Sequence, residues 1–228
     1  MNGFFITGTD TGVGKTLVAV AVTRALVARG LRTAVMKPVA AGGLRTPDGL
    51  FNDDALELLA ASNVKAPYED VNPWMLSMPA SPHLAACADG VTIRQDRIVA
   101  ALDKLTAVSD LVIVEGAGGW LAPISATETM ADVAAKMALP VILVVGVRLG
   151  CLNHALLTRA AIRARGMVFA GWIANQLATA MPLADANIDS LENRFGVAPL
   201  GVVPAGTKPV AGAVPSWANE VVEKLLSA

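Results

Sequence analysis

An α/β fold is what this sequence predicts, with a mostly parallel sheet flanked by helices on both faces. Three observations predict it. Short apolar runs alternate along the chain with stretches of helical period, the pattern of successive βαβ units. The strongest runs, such as Leu111-Val112-Ile113-Val114, are apolar at every position, as in strands covered on both faces. The first run, Phe4-Phe5-Ile6, passes through a glycine-rich turn directly into the first helical stretch.

In order, the runs place strands over 3–8, 33–38, 111–115, 141–146, 170–175 and 200–203. Helical periodicity covers 15–29, 54–61, 94–106, 130–137, 153–165, 182–195 and 217–226. Lys37-Pro38 ends the second strand, and Asn52-Asp53-Asp54 opens the second helix with residues suited to an N-cap. The run over 139–147 is too short to span a bilayer and reads as a buried parallel strand. Residues 39–91 are looser, with clusters of Pro, Gly, Asn and Asp and one clear helix. Long irregular connections in compact domains are often functional. A second Pro- and Gly-rich loop covers 204–215, and no internal repeat or low-complexity tract interrupts the pattern. Crossovers are expected to be right-handed, with ligands outside the carboxyl ends of the strands.

The chain has 228 residues and no obvious linker, which favours one domain over 1–228. A net charge of −1 and the scattering of Arg and Lys argue against a nucleic-acid binder, which would present a basic face. Two cysteines, Cys87 and Cys151, are too few for a disulfide framework and suit free thiols in a reducing cytosol. His83 and His154 read as structural groups, not zinc ligands. A strand at the N-terminus leaves no room for a signal peptide, so a cytoplasmic protein without a membrane segment is expected. The apolar content, 54%, fits either a generous core or a buried subunit interface.

Gly8-Thr9-Asp10-Thr11-Gly12-Val13-Gly14-Lys15-Thr16 lies between the first strand and the first helix. Small residues let backbone N–H groups turn inward as an anion nest, and the helix N-terminus adds partial positive charge. Lys15 reaches β- and γ-phosphates from this place, and the Thr16 hydroxyl reaches Mg²⁺. The pattern G-x-x-x-x-G-K-[ST] is not met strictly, because Thr9 stands where it requires Gly. With its strand and helix, the loop predicts a nucleoside triphosphate site and a three-layer sandwich of the P-loop NTPase-like kind.

At the end of the third strand, Glu115 is followed by Gly116-Ala117-Gly118-Gly119. Alone it reads equally as an exposed acid before a turn or as the acid that supports a Mg²⁺ site in phosphate-loop enzymes, directly or through water; the loop at Gly8 to Thr16 favours the second, and the glycines allow close backbone approach. Asp54 reads either as part of the helix cap or as a third magnesium-site oxygen beside Thr16 and Glu115. Lys37 reads either as a solvated surface lysine or as a cation facing the ligand crevice, where it would stabilise a transferring phosphoryl group. Gly150-Cys151-Leu152-Asn153 reads most simply as a helix start with an Asn cap, and alternatively as an anion site. Asn175-Gln176 ends a strand, where its amides either cap a turn or read a base edge.

Together with Lys37-Pro38-Val39-Ala40, Asn72-Pro73, Ser81-Pro82-His83, Val114 to Gly119, Leu149 to His154 and Val203-Pro204, the loop from Thr7 to Thr16 resembles the dethiobiotin synthetase family. The motifs run in family order to about Asn175, and Val203-Pro204 extends them. The resemblance implies an ATP- and Mg²⁺-dependent ligase of biotin synthesis, acting on 7,8-diaminopelargonic acid and CO₂ or bicarbonate. It implies that Gly12, Val13, Gly14, Lys15 and Thr16 hold the phosphates, and that Thr11, Lys15 and Lys37 act on the carbamate and γ-phosphate. By the same resemblance, Thr16, Asp54 and Glu115 support Mg²⁺, and Glu115, Gly116, Ala117 and Gly118 line the junction of nucleotide and substrate. Asn175, Gln176, Pro204, Ala205 and Gly206 correspond to the adenine pocket. The family is homodimeric, with Gly150, Cys151, Leu152 and Asn153 holding the substrate carboxylate across the subunit interface.

Two positions depart from the family. Ala41 stands where a hydroxyl residue is frequent, so a substrate hydrogen bond is lost or supplied elsewhere. Gln176 stands where Asp is frequent, which bears on base preference. The rival reading is a partitioning-type ATPase switch, which shares the fold and resembles Gly-Lys-Gly-Gly-x-Gly-Lys-Thr at this loop. Its signature lysine falls at Asp10 here, and a carboxylate does not supply that positive charge. An amidating ligase of the cobyrinate type carries a glutaminase domain for which this chain has no room.

Overall fold

A computed structural model describes residues 3–47, 49–177, 181–208 and 212–227. The chain runs β1 (Gly3–Gly8), α1 (Lys15–Ala28), β2 (Thr33–Met36), β3 (Val39–Ala41), β4 (Leu44–Thr46), β5 (Gly49–Phe51), α2 (Asp53–Ala61), α3 (Tyr68–Val71), β6 (Trp74–Leu76) and α4 (Pro82–Ala88). It continues through α5 (Gln95–Ala107), β7 (Leu111–Glu115), α6 (Met130–Met137), β8 (Val141–Val147), α7 (Cys151–Ala164), β9 (Phe169–Gln176), α8 (Ala184–Phe195), β10 (Gly201–Val203) and α9 (Ser216–Ser227).

Six strands form the main sheet in the order β10-β9-β8-β1-β7-β2. Every neighbouring pair in it is parallel. Alternate residues of each strand enter different cores. Phe5, Val112, Val114, Leu143 and Trp172 face one layer with α5, α6, α7 and α8. Phe4, Ile6, Ile113, Val144 and Ile173 face the other with α1, α2 and α9. Burial on both faces explains the continuous apolar runs, each large side chain contributing about 1.5–3 kcal/mol when fully buried. The strand β1 lies at the middle, with β7 and β2 on one side and β8, β9 and β10 on the other. Its carboxyl end is therefore the topological switch point, where an open α/β sheet leaves a crevice.

The differences from the sequence reading lie at ends and in the loose segment. The second strand stops at Met36, because the Lys37 N–H donates to the Val71 carbonyl (2.8 Å) and not to the sheet. Helix α7 starts at Cys151, not at residue 153: Gly150 takes φ 93 as its N-cap, and its carbonyl accepts from the His154 N–H (3.3 Å). Within 39–91, strands β3 and β6 pair in parallel and β4 and β5 form an antiparallel hairpin. Each of these strands has three residues, too few for a period to register. Helix α4 begins at Pro82 in its first turn, where a missing N–H costs nothing. Of the expected 204–215 loop, residues 209–211 lie outside the described residues. Both cysteines are free thiols, Cys87 exposed and Cys151 buried. Among the described residues no helix is long and apolar enough to cross a membrane.

Candidate active site

The loop from Gly8 to Gly14 turns at the carboxyl end of β1 and caps α1 with Gly14, whose φ of 89 is left-handed. A Cβ at Gly14 would collide with the Asn175 amide, so glycine is required here for both conformation and space. The Asn175 Nδ2 donates to the Val13 carbonyl (2.8 Å), fixing the loop to the end of β9. On the opposite side, the Gly116 N–H donates to the Ile6 carbonyl (2.9 Å). A Cβ on Gly118 would lie 3.7 Å from the Thr11 hydroxyl. The two glycine-rich turns thus lie against each other.

Lys15 is buried, and its Nζ donates to the Asp10 carbonyl (2.9 Å). Burial pushes its pKa down to about 8, against the pull of Glu115 and with the help of the positive charge on Lys37. The Asp10 carboxylate accepts from the Thr11 N–H (2.7 Å) and pairs with Arg148 (2.6 Å). These contacts replace the positive charge of a switch-type loop with a negative one that is already partnered.

Lys37 is buried, so it is not a solvated surface lysine. Its Nζ donates to Asp54 Oδ2 (2.8 Å) and to Glu115 Oε1 (2.5 Å). The Thr16 hydroxyl donates to the same Glu115 oxygen (2.9 Å). Burial works against the charge on Lys37, but the Glu115 and Asp54 carboxylates outweigh it and raise its pKa. For Asp54, burial is likewise opposed by Lys37, and the carboxyl is held below its usual range. Asp54 is not the helix cap: Asn52 is, its Oδ1 accepting from the Ala55 N–H (3.2 Å). That leaves the Asp54 carboxylate free to face Lys37.

The residue types fit a divalent cation. Thr16, Asp54 and Glu115 offer hard oxygens, and Glu115 Oε2 is buried with no hydrogen-bond partner. A buried acceptor without a donor is costly and marks a place where a cation would be favourable.

A cavity of about 570 Å³ opens beside this cluster, lined among others by Thr11, Lys37, Ala41, Asp54, Ser81 and Gly118. Ala41 and Ser81 both line the cavity, and the Ser81 hydroxyl is hydrogen-bonded to His83 Nδ1 (3.1 Å). At the other edge, Val203 pairs in register with Asn175, so the turn from Pro204 to Gly206 adjoins Asn175 and Gln176. Gln176 donates to Asp185 (3.3 Å). Gly150, Cys151, Leu152 and Asn153 begin α7 after β8 and do not line the cavity.

Sequence reasoning gave no role to three residues that build the site. Asn72 donates to the Lys37 carbonyl (2.6 Å). Tyr68 accepts at its hydroxyl from the Asn52 N–H (2.8 Å), and Arg148 holds Asp10. Only Asn72 carried a signal, as part of the Asn72-Pro73 motif.

A protein-family model described as an AAA domain matches residues 2–211. A Xanthomonas oryzae pv. oryzae protein named ATP-dependent dethiobiotin synthetase BioD is 49% identical over 201 residues, covering 88% of this chain and 90% of its own. One of the same name from Vibrio vulnificus is 47% identical over 204 residues, 90% of each chain. The chain belongs to the dethiobiotin synthetase family. Solved structures show the breadth of the fold. MinD in the Aquifex aeolicus MinC:MinD cell division complex superposes with a TM-score of 0.62 at 16% identity, over 100% of this chain and 96% of its own. The Pyrococcus horikoshii MinD complexed with Mg-ADP gives 0.60 at 15% identity, over 99% and 94%. At these identities the likeness is one of fold alone, and family membership separates this chain from such ATPases.

Proposed function

We propose that the chain is an ATP-dependent dethiobiotin synthetase built as one domain over residues 1–228. It joins 7,8-diaminopelargonic acid to CO₂ with ATP, giving dethiobiotin, ADP and phosphate. The observation that carries this reading is the hydrogen-bonded cluster of Thr16, Lys37, Asp54 and Glu115, of which Lys37 and Asp54 line one cavity, in a chain 49% identical to a named dethiobiotin synthetase.

One substrate amine adds to CO₂ and loses a proton, forming a carbamate. A carbamate oxygen attacks the γ-phosphorus, and the bond to ADP breaks. The second amine then attacks the carbamoyl carbon of the mixed anhydride, and phosphate leaves as the ureido ring closes. No protein nucleophile is needed, so the protein's part is positioning and charge stabilisation. Gly12 to Gly14 offer N–H groups to the phosphates, and Lys15 exchanges its Asp10 carbonyl for a phosphate oxygen. Thr11 and Lys37 face the carbamate, and Ser81 supplies a hydroxyl in the cavity where Ala41 has none. Asn175 and the turn at Pro204, Ala205 and Gly206 receive the base, with Gln176 beside them. Mg²⁺, when bound by Thr16, Asp54 and Glu115, neutralises charge on the β- and γ-phosphates.

Gly150 to Asn153 do not line the cavity of their own chain. We infer that Gly150 to Asn153 present N–H groups to the substrate carboxylate in a partner's site, which makes the working unit a homodimer. The test of the whole reading is steady-state ATP turnover. It should require both diamine and bicarbonate, and turnover independent of either would contradict it.

A further inference from the structure

Lys37 stands where a second cation would have to go. Its ammonium touches Asp54 and Glu115 at 2.8 and 2.5 Å, and the Thr16 hydroxyl touches the same Glu115 oxygen. These three oxygen-bearing side chains are the proposed ligands of Mg²⁺, so the inference rests on that reading. The Lys37 side chain is 6% exposed and that of Glu115 1%, so water screens their charges little. Lys37 is the cation in direct contact with both carboxylates, and Glu115 Oε2 has no donor. A divalent ion added beside the ammonium would meet strong repulsion at this separation. The Lys37 backbone, however, is pinned. Its N–H donates to Val71 and its carbonyl accepts from Asn72. Only the side chain is free to move, and the cavity it lines with Thr11 and Gly118 is next to it.

We propose that Lys37 is the resident cation of the carboxylate pair: it holds Asp54 and Glu115 together in the free protein, and metal binding displaces its ammonium into the cavity. Loading of the metal and delivery of Lys37 to the carbamate side are then a single event. The two carboxylates never stand without a cation, which for the buried Glu115 would be strongly destabilising, and the lysine reaches the reacting groups only after the metal has arrived.

The test is direct binding of Mn²⁺, followed by electron paramagnetic resonance, to the protein without nucleotide. Lys37→Met removes the ammonium and keeps the length of the side chain. It should bind Mn²⁺ more tightly than wild type by more than about tenfold, and its thermal midpoint should rise more on adding Mn²⁺. Unchanged or weaker binding in the folded variant overturns the proposal. Asp54→Asn and Glu115→Gln test the underlying reading. If neither weakens Mn²⁺ binding, the metal site is misassigned; if both do and Lys37→Met fails to tighten it, the resident cation alone is wrong. A measurement on wild type needs no variant to fold. Acylation of the Lys37 amine, read by peptide mass, should be slow in the free protein and faster with saturating Mn²⁺. Equal rates overturn the proposal.

Discussion

Lys15 combines two demands that oppose each other. It must be buried to meet the phosphates, and burial drives its pKa to about 8 in the free protein. Bound polyphosphate favours the ammonium, so binding raises the pKa. The affinity for ATP is therefore full below about 8 and falls by up to about tenfold per pH unit above it. Calorimetric titration from about pH 7 to about pH 10 should show this decline together with proton uptake, and a flat profile would contradict it. Lys15→Ala should abolish ligation even at saturating ATP. Asn175 makes a separate prediction. Its Nδ2 donates to the Val13 carbonyl, which orients Oδ1 as an acceptor for an amino group at C6 of a purine or C4 of a pyrimidine. ATP and CTP should therefore support turnover better than GTP and UTP; equal use of all four contradicts this placement. Much of this was legible in the sequence, since Lys15, Thr16 and Glu115 are set by a local motif and a strand end. The Lys37 ion pairs and the Asp10–Arg148 pair were not, because they join residues far apart in the chain.

At the scale of elements, helix α2 separates a capping role from a site role. Asn52 caps the helix and also donates to the Gly42 carbonyl (2.9 Å), while Asp54 faces Lys37. Asn52→Ala should lower stability by about 1 kcal/mol, read from denaturant melts. Asp54→Asn should leave the cap intact and raise the Mg²⁺ concentration needed for turnover. The opposite assignment of effects would return Asp54 to a structural role. The long elements were legible because burial on both faces writes continuous apolar runs, and because α5 and α8 are long enough for a period to show. The short strands of 39–51 and 74–76 were not, since their pairing is set by tertiary contacts and not by pattern. The beginning of α7 was missed because Gly150 ends one element and caps the next.

In the proposed homodimer the chemistry is divided between two chains, and that division is testable by complementation. Lys15→Ala removes the phosphate function, and Gly150→Pro distorts the start of α7 and deletes an N–H. In a heterodimer of the two, one site collects both lesions and the other neither. Mixing and re-equilibrating the inactive variants should restore part of the activity. Heterodimers that form and stay inactive would place the carboxylate within one chain. The central claim is that phosphate leaves from a carbamoyl phosphate and not from water attack on ATP. In the proposed sequence the oxygen that attacks the γ-phosphorus comes from CO₂ and departs with phosphate. Turnover with ¹⁸O-labelled bicarbonate, diamine and ATP, sampled before the label exchanges with water, should give phosphate carrying one ¹⁸O from bicarbonate. Phosphate without ¹⁸O, its new oxygen taken from unlabelled solvent water, would contradict the account.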